Sequence, residues 1–412
     1  MKYNFDQIIS RRNTDSIKYD WITRQNRPVD TIPLWVADMD FPAPQEVLDR
    51  LAAVARHGIF GYVEAGEAYF QAAKNWFVRW FDFIPEPHWL VRTPGVVFAL
   101  GVAIRSLTSV GDSVLIQEPV YYPFAGMIRA NGRRVVNNGL IYDHGRYELD
   151  LVDFEEKIVQ NQTRLFILSN PHNPVGRVWT EEELTAMGRI CLRHDCLVVS
   201  DEIHCDFVRS GHRHLVWAGL SAELAAKSIV CTAPSKTFNL AGLQAANIFI
   251  PDDGIRARFQ EELRKTGYGE LNAMGLAAAQ ASYEQGRDWL DQLKNYLEGN
   301  LFSLKNFMAD LSGIKVVEPE GTYLVWLDFT EAGLSARELD DLLSCQARLW
   351  LNEGSQFGSA GAGFYRLNLA CPRPLLAEAL DRLGKVWPKK AEKSGMLPPP
   401  YSYSGQGDPP GQ

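Results

Sequence analysis

Short apolar runs bounded by turn residues recur through the middle of the chain. Strands that are covered on both faces of a sheet are typically apolar along most of their length, as these runs are. Helical patterns separate several of them, and the pattern over residues 180–194 opens with a capping box formed by Thr180 and Glu183. The alternation predicts an α/β fold with a mostly parallel sheet flanked by helices. The predicted strands are residues 113–116, 164–168, 196–200, 228–231 and 246–250.

A second, smaller α+β domain is predicted from the last third of the chain. A long helical pattern over residues 275–312 precedes two apolar runs, at 315–318 and 322–327, which can pair as antiparallel strands. A shorter helical pattern follows at residues 335–343.

The predicted organisation has four parts. Residues 1–44 form an N-terminal arm and part of the small domain, residues 45–285 the large domain, and residues 286–391 the small domain. Residues 392–412 are rich in Pro, Gly and Ser, and we expect them to be a disordered tail.

The composition is that of a globular protein, and its charge is mildly acidic. Of 412 residues, 42 are basic and 50 are acidic, which gives a net charge of −8. This balance offers no general attraction to nucleic acid or to an anionic membrane, so neither is expected as a partner. No stretch reaches the ~18 apolar residues of a membrane span, and no secretory signal opens the chain.

Cysteine and histidine usage bears on compartment and metal binding. The six cysteines include no Cys-x-x-Cys pair, and we interpret them as reduced, mostly buried thiols of a cytoplasmic protein. His212 and His214 form a His-x-His pair, but no matching ligand cluster is visible. No metal site is therefore predicted.

The first candidate for chemistry is Lys236. It follows the apolar run at residues 228–231 among small and hydroxyl residues. A lysine held in a partly buried pocket at the end of a strand can have its pKa lowered, and it can then form a Schiff base with an aldehyde. The alternative is an ordinary surface lysine in a loop.

Two further candidates also follow predicted strands. Asp201 comes after the run at 196–200, so it would lie at the carboxyl edge of the sheet, where ligands bind in open α/β folds. If it is buried, it needs a cationic partner. Asn173 belongs to the second of two Asn-Pro steps, whose restricted geometry would present its amide rigidly to a ligand oxygen.

A phosphate site is predicted at residues 93–100. Gly95 lets the backbone approach a ligand, and the apolar helical pattern that follows offers free N–H groups and a positive dipole end. The chain has neither a Walker motif nor a Gly-x-Gly-x-x-Gly turn. An NTPase and a Rossmann dehydrogenase are therefore not supported.

Taken in order, the phosphate turn, Asn173, Asp201 and Lys236 resemble the site of the fold type I pyridoxal-5′-phosphate (PLP) enzymes related to aspartate aminotransferase. The resemblance covers about residues 3–390. Within that superfamily the chain is most similar to the C–S lyases of the MalY/PatB cystathionine β-lyase group. The segments that carry this second resemblance are residues 34–41 (LWVADMDF), 357–368 (FGSAGAGFYRLN) and 370–373 (ACPR).

The resemblance implies a large PLP-binding domain and a role for each matching residue. Lys236 would hold PLP covalently and later move the substrate α-proton, while Asp201 would pair with the pyridinium nitrogen. Asn173 would bond the phenolic oxygen of the ring, and Tyr121 would stack on its face. Arg366 would clamp the substrate α-carboxylate in a bidentate pair, which suits a guanidinium.

The resemblance also implies the groups around the phosphate. The backbone of Val96 and Val97 would hold it, together with Tyr62 from the second subunit of a homodimer with shared active sites. Ser235 and Thr232 are both candidates for a hydroxyl contact, and the sequence does not choose between them.

His204 stands where many aminotransferases of this superfamily have a Tyr, three residues after the Asp. The lyase group tolerates His at this position. Two interpretations stay open: His204 tunes the cofactor, or it completes a hydrogen bond behind it.

The activity that the resemblance implies is PLP-dependent β-elimination. L-Cystathionine, or another S-substituted L-cysteine, would give a thiol, pyruvate and ammonia. The catalytic residues are nearly common to lyases and transaminases, so an aminotransferase acting on an L-amino acid is the alternative. A third hypothesis is that the protein binds a transcription regulator, alone or beside an enzymatic activity.

Overall fold

The computed structural model describes residues 2–387. The predicted tail at 392–412 lies outside the described residues. The α-helices are, in chain order, α1 (Ile17–Arg24), α2 (Gln45–His57), α3 (Glu67–Phe81), α4 (Val96–Leu107), α5 (Pro123–Ala130), α6 (Leu151–Asn161), α7 (Glu181–Arg193), α8 (Ala222–Ala225), α9 (Pro234–Thr237), α10 (Asp253–Lys265), α11 (Ala273–Gln285), α12 (Arg287–Ala309), α13 (Ala336–Asp340) and α14 (Arg373–Val386).

The strands alternate with these helices through most of the chain. They are, in chain order, β1 (Ile32–Pro33), β2 (Leu90–Thr93), β3 (Ser113–Ile116), β4 (Arg134–Asn137), β5 (Ile141–Asp143), β6 (Arg146–Glu148), β7 (Leu165–Ser169), β8 (Leu197–Asp201), β9 (Ser228–Thr232), β10 (Ala246–Phe249), β11 (Lys315–Val316), β12 (Leu324–Asp328), β13 (Leu349–Trp350), β14 (Asn352–Glu353) and β15 (Phe364–Asn368).

The main sheet has seven strands in the order β2-β10-β9-β8-β7-β3-β4. Only β10 runs against its neighbours, pairing antiparallel with both β2 and β9. The remaining pairs are parallel. The predicted α/β fold class with a mostly parallel sheet is therefore confirmed, and each predicted strand is present in it.

The two outer strands of this sheet were not predicted. β4 begins with the exposed Arg134, and β2 carries Arg92 at its centre. Strands at the edge of a sheet are covered on fewer sides and tolerate such charges. Neither strand therefore has the continuous apolar run by which the inner strands were recognised.

Helices cover both faces of the main sheet. Successive side chains of a strand point to opposite faces. Accordingly, Leu165 and Ile167 of β7 belong to the apolar cluster beneath α4 and α10, whereas Phe166 and Leu168 belong to the cluster on the other face. The predicted capping box is present at α7, where the Glu183 N–H donates to Thr180 Oγ1 at 3.2 Å.

A second sheet has the order β11-β12-β15-β14 and is antiparallel throughout. It contains the predicted pair of strands, with Lys315 opposite Asp328. β1 pairs in parallel with β13, so the N-terminal segment joins this part of the molecule. The structure thus has both the large sheet and the smaller α+β unit, while the predicted domain boundaries stay a prediction.

The structure has two helices where the sequence predicted one long helix. The pattern over residues 275–312 is interrupted at Gly286, between α11 and α12. A side chain at this position would place its Cβ 2.4 Å from the Phe238 ring, so the helices meet where only glycine fits. Within residues 2–387, no helix combines the length and the hydropathy needed to cross a membrane.

Candidate active site

A cavity of about 430 Å³ lies where the carboxyl ends of β7 and β8 meet the start of α4. The parallel register of β7, β8 and β9 brings their ends to one edge, with Ser169 opposite Asp201 and Asp201 opposite Cys231. Segments that follow these strands therefore share one edge, as is usual for ligand sites in open α/β sheets. Most residues predicted for the site line this cavity: Lys236, Asp201, Asn173, Tyr121, Val96, Val97, His204 and Ser235.

Lys236 lies in the short helix α9, directly after β9. Its Nζ donates a hydrogen bond to the carbonyl oxygen of Ala37 at 2.5 Å. Burial of the amine lowers its pKa to about 8, although the nearby Asp38 carboxylate opposes this shift. A lysine with such a pKa has an appreciable neutral fraction near pH 7 and can act as a nucleophile or a base.

Asp201 ends β8 and is buried. Its Oδ1 accepts a hydrogen bond from the Ile203 N–H at 3.1 Å, and it forms no ion pair with any described residue. Burial therefore raises the pKa of Asp201 to about 7. A buried carboxyl group in this state is suited to a cationic ligand atom, which would return it to its ionised form.

Arg366 and Asn173 are joined across the edge of the cavity. Arg366 Nη1 donates to Asn173 Oδ1 at 2.9 Å, and Nη2 donates to Asn352 Oδ1 at 2.6 Å and to the Trp35 carbonyl at 3.0 Å. Its Nε has no partner among the described residues. The guanidinium is 4.8 Å from the centre of the Phe357 ring.

The charge of Arg366 is not neutralised by any carboxylate of the described chain, since all three of its acceptors are neutral. Burial lowers the pKa of this guanidinium to about 10. A buried cation without a counter-charge favours binding of an anion. The structure thus has a buried carboxyl group at Asp201 and a buried guanidinium at Arg366, each without an oppositely charged partner among the described residues.

The start of α4 is open toward the cavity. Gly95 precedes the helix, no side chain caps its first turn, and a Cβ at Gly95 would meet nothing within 4 Å. Val96 and Val97 therefore present helix N-terminal N–H groups at the cavity wall. Ser235 also lines the cavity, whereas the Thr232 hydroxyl donates to the Asn247 carbonyl inside the sheet at 3.1 Å. Of the two hydroxyls considered, Ser235 is the one at the cavity.

His204 is buried against the edge of the Tyr323 ring, with 5.7 Å between ring centres. Burial lowers its pKa to about 3, so its imidazole is neutral at physiological pH. Its Nδ1 has no hydrogen-bond partner among the described residues. This geometry leaves both interpretations of His204 open.

Tyr121 and Tyr62 differ in placement. Tyr121 lines the cavity, and burial raises the pKa of its hydroxyl to about 12, so the ring is neutral there. Tyr62 lies away from this cavity in a segment outside helices and strands, and its side chain is fully exposed. The entry of Tyr62 into the site of a second subunit stays a prediction.

Two groups at the site were missed in the sequence. The Ala37 carbonyl accepts hydrogen bonds from Lys236 and from the Tyr323 hydroxyl, the latter at 3.0 Å. Ala37 belongs to the segment that carried the resemblance, but a backbone acceptor has no side-chain signal. Tyr323 was expected only as a member of a strand. Within residues 2–387, no group of three or more His, Cys, Asp or Glu side chains is arranged to hold a metal ion.

Comparison with known proteins identifies the family. The family model described as aminotransferase class I and II matches residues 79–383. The chain belongs to this family. It is 41% identical over 381 residues to the cystathionine beta-lyase PatB of Bacillus subtilis, covering 92% of this chain and 98% of that protein. The resemblance to the MalY/PatB group is therefore confirmed.

Solved structures agree with the fold. Cystalysin from Treponema denticola, described as containing a pyridoxal 5′-phosphate cofactor, superposes with a TM-score of 0.91 at 35% identity and covers 94% of this chain and 99% of its own. A PLP-bound putative aminotransferase from Clostridium difficile superposes with a TM-score of 0.90 at 40% identity. The match covers 92% of this chain and 98% of that one. The fold type I architecture is therefore confirmed.

Proposed function

We propose that the protein is a PLP-dependent carbon–sulfur β-lyase. It cleaves L-cystathionine, or another S-substituted L-cysteine, to a thiol, pyruvate and ammonia, and the thiol from cystathionine is homocysteine. The observation that carries the proposal is the similarity to PatB along nearly the whole chain. The cavity supports it with a lysine and a buried carboxyl group that has no ion pair. Beside the cavity, the buried guanidinium of Arg366 bonds the lining residue Asn173 and has no carboxylate partner among the described residues.

The groups at the cavity fit PLP. Lys236 is the amine that can bind its aldehyde, and Asp201 is a buried carboxyl group suited to a cationic ring nitrogen. The uncapped first turn of α4 at Val96 and Val97, with Ser235, offers donors to a phosphate. Bound PLP supplies an electron sink for charge that develops at the substrate α-carbon.

Three residues of the chain have separate roles in the proposed reaction. Arg366 binds the substrate α-carboxylate through its guanidinium, which fixes the orientation of the α-carbon. Lys236, once its amine is free, accepts the α-proton as general base. Asp201 keeps its negative charge opposite the ring nitrogen. A sulfur substituent on the β-carbon then leaves as a thiolate, and a water molecule hydrolyses the remaining three-carbon unit to pyruvate and ammonia.

An aminotransferase is the second candidate. It is favoured by the C. difficile neighbour that is described as a putative aminotransferase, and the residues of this cavity are equally suited to that reaction. The two activities differ in product. A transaminase converts the substrate to its own keto acid and passes the amino group to a second keto acid, without releasing a thiol.

We also propose an oligomeric state, a cellular location and a metabolic role for the protein. We propose a homodimer in which Tyr62 contacts the cofactor phosphate of the neighbouring subunit, supported by the full exposure of Tyr62 beside the exposed Ile59 and Phe60. A cytoplasmic location is supported by the cysteines of the described chain, all of which are free and most of which are buried. Homocysteine as product would place the enzyme in methionine metabolism. Binding to a regulator protein stays a prediction from the resemblance.

Replacing the proposed cofactor lysine tests the proposal. Lys236→Ala should lose the visible absorbance of bound PLP after dialysis, together with pyruvate formation, because no other amine replaces the covalent link. The matched control is Lys294→Ala, since Lys294 is another lysine whose pKa is lowered by burial, but it lies outside the cavity. Retention of the cofactor absorbance by Lys236→Ala would contradict the assignment.

A further inference from the structure

A cluster of four charged side chains lies beside the cavity but has no part in the proposed function. Arg11 binds Asp38 with both Nη atoms, at 2.6 and 3.1 Å, and also donates to Asp40 Oδ1 at 2.8 Å. Lys18 donates to Asp40 Oδ2 at 2.8 Å and lies 3.6 Å from Asp38 Oδ1. Two carboxylates and two cations thus form one closed network.

Two of the four ions in this network are almost fully buried. Lys18 is fully buried and Asp40 is 5% exposed. Removing such ions from water costs several kcal/mol each, and an apolar cluster of the same shape would often be as stable. The stability of the fold alone therefore does not explain why charged side chains occupy these positions.

Asn368 holds the backbone that Lys236 contacts. Asp38 directly follows Ala37, whose carbonyl accepts the Lys236 hydrogen bond. Asn368 Nδ2 donates to the Val36 and Asp38 carbonyls, both at 2.6 Å. Because these bonds fix the chain on both sides of Ala37, the Asp38 carboxylate has a defined place relative to the Lys236 amine.

The charge of Asp38 acts on that amine. Burial lowers the pKa of Lys236, and the negative charge of Asp38 opposes this more strongly than that of Asp201 does. Arg366 acts in the opposite direction. His204 also faces the amine and is neutral at physiological pH, because burial lowers its pKa to about 3. The influence is mutual. Burial opposes ionisation of Asp38, but its hydrogen bond to Arg11 and the charges of Lys18, Arg11 and, least, Lys236 lower its pKa.

We propose that Asp38, held by Arg11, is a positioning residue for Lys236. Its carboxylate favours the protonated form of the Lys236 nitrogen and so sets the pH range over which that nitrogen gains or loses its proton. Arg11 limits this effect because it offsets part of the charge of Asp38. The inference rests on the proposed function, since the bound cofactor reports the protonation of the nitrogen to which it is linked.

The test is a pH titration of the visible absorbance of the purified holoenzyme. Asp38→Asn removes the charge and keeps the shape, so the midpoint should fall by about one pH unit, a shift typical of losing one nearby opposite charge. Arg11→Met leaves the charge of Asp38 less compensated, so its midpoint should rise. Asp40→Asn is the matched control, because it loses bonds to the same two cations, and its midpoint should stay at the native value.

The outcomes separate this inference from the proposed function. A native protein without a visible cofactor band would overturn the proposed function and the inference with it. A band with the same midpoint in Asp38→Asn and in native protein would overturn the inference alone. Equal shifts in Asp38→Asn and Asp40→Asn would also overturn it, because they would indicate a general structural effect. If Asp38→Asn does not fold, Arg11→Met decides, and an unchanged or lower midpoint would overturn the inference.

Discussion

At the residue scale, the site is defined by two buried groups of opposite charge type, Asp201 and Arg366. Neither forms an ion pair with a residue of the described chain. Burial raises the pKa of Asp201 and lowers the pKa of Arg366, so it favours the neutral form of each group. A protein bears such uncompensated groups at a cost to stability, so they are expected where a ligand completes them. A substrate with a carboxylate and a cofactor with a cationic ring nitrogen would complete both.

Arg366→Lys is predicted to weaken substrate binding. A lysine ammonium cannot form the two parallel hydrogen bonds of a guanidinium, and one charge-assisted bond contributes about 1.5–3 kcal/mol. The KM for the amino-acid substrate should therefore rise roughly 10- to 100-fold, with a smaller change in kcat. Steady-state kinetics on L-cystathionine measure both values.

The matched control for this prediction is Arg92→Lys. Arg92 also uses a bidentate guanidinium, bonding Glu270 through Nε at 2.9 Å and through Nη2 at 2.7 Å, but it lies outside the cavity. Its substitution should leave KM unchanged. A native KM in Arg366→Lys would indicate that another residue binds the carboxylate.

The location of a single residue could be predicted where the residue directly follows a predicted strand. The placement of Lys236 and Asp201 at one edge of the sheet could be predicted because both stand after apolar runs, and parallel pairing brings such positions together. The contacts of Asp38 with Arg11 join residues far apart in sequence and leave no local pattern. The Ala37 carbonyl is likewise a backbone group that any residue would supply.

At the element scale, the turn between β11 and β12 does more than reverse the chain. Glu320 in this turn is 6% exposed and binds Arg177 Nε at 2.9 Å, Arg146 Nε at 3.0 Å and the Val178 N–H at 2.8 Å. Arg177 is itself buried and also binds Glu183 at the start of α7. The small sheet is thereby attached to the segment that follows β7.

Glu320→Gln is predicted to destabilise the protein by on the order of 3 kcal/mol, because it leaves the buried Arg177 without one of its counter-charges. The midpoint of denaturant unfolding should fall accordingly. The control, Glu318→Gln, changes an exposed residue two positions away that pairs with Lys305, and such surface pairs contribute under about 1 kcal/mol. An equal loss of stability in the two variants would show that the burial of Glu320 does not increase the cost of its substitution.

Element types followed from the sequence more readily than element directions. An inner strand such as β10 is buried at every position whether its neighbours run parallel or antiparallel, so its reversed direction leaves no trace in the pattern. The break at Gly286 was missed for a related reason. Its cause is contact with Phe238, which belongs to a distant part of the chain.

At the scale of the whole molecule, three parts of the chain converge on the cavity. Ala37 comes from the segment before α2, and Asp201 and Lys236 come from β8 and from α9, which follows β9. Arg366, which bonds the lining residue Asn173, comes from β15 of the small sheet. The Trp35–Asp38 segment contacts both the lysine and the arginine, so the proposed base and the proposed carboxylate clamp are held by one stretch of backbone.

A dimer with shared sites makes a complementation test possible. Lys236→Ala and Tyr62→Ala should each be impaired alone, but unfolding and refolding them together should restore activity to about a quarter of the native value, since half of randomly paired dimers are mixed and each mixed dimer has one intact site. Activity measured before and after mixing checks this. No recovery, with mixed dimers present, would contradict a role of Tyr62 in the neighbouring site.

The products that the purified protein with PLP forms from L-cystathionine decide between the lyase and the aminotransferase. Pyruvate and free thiol should be followed together, with and without an added keto acid as amino-group acceptor. We predict that pyruvate and thiol appear in equal amounts and independently of the acceptor. Transfer of the amino group to the added keto acid, with neither pyruvate nor thiol released, would contradict the lyase and establish the aminotransferase.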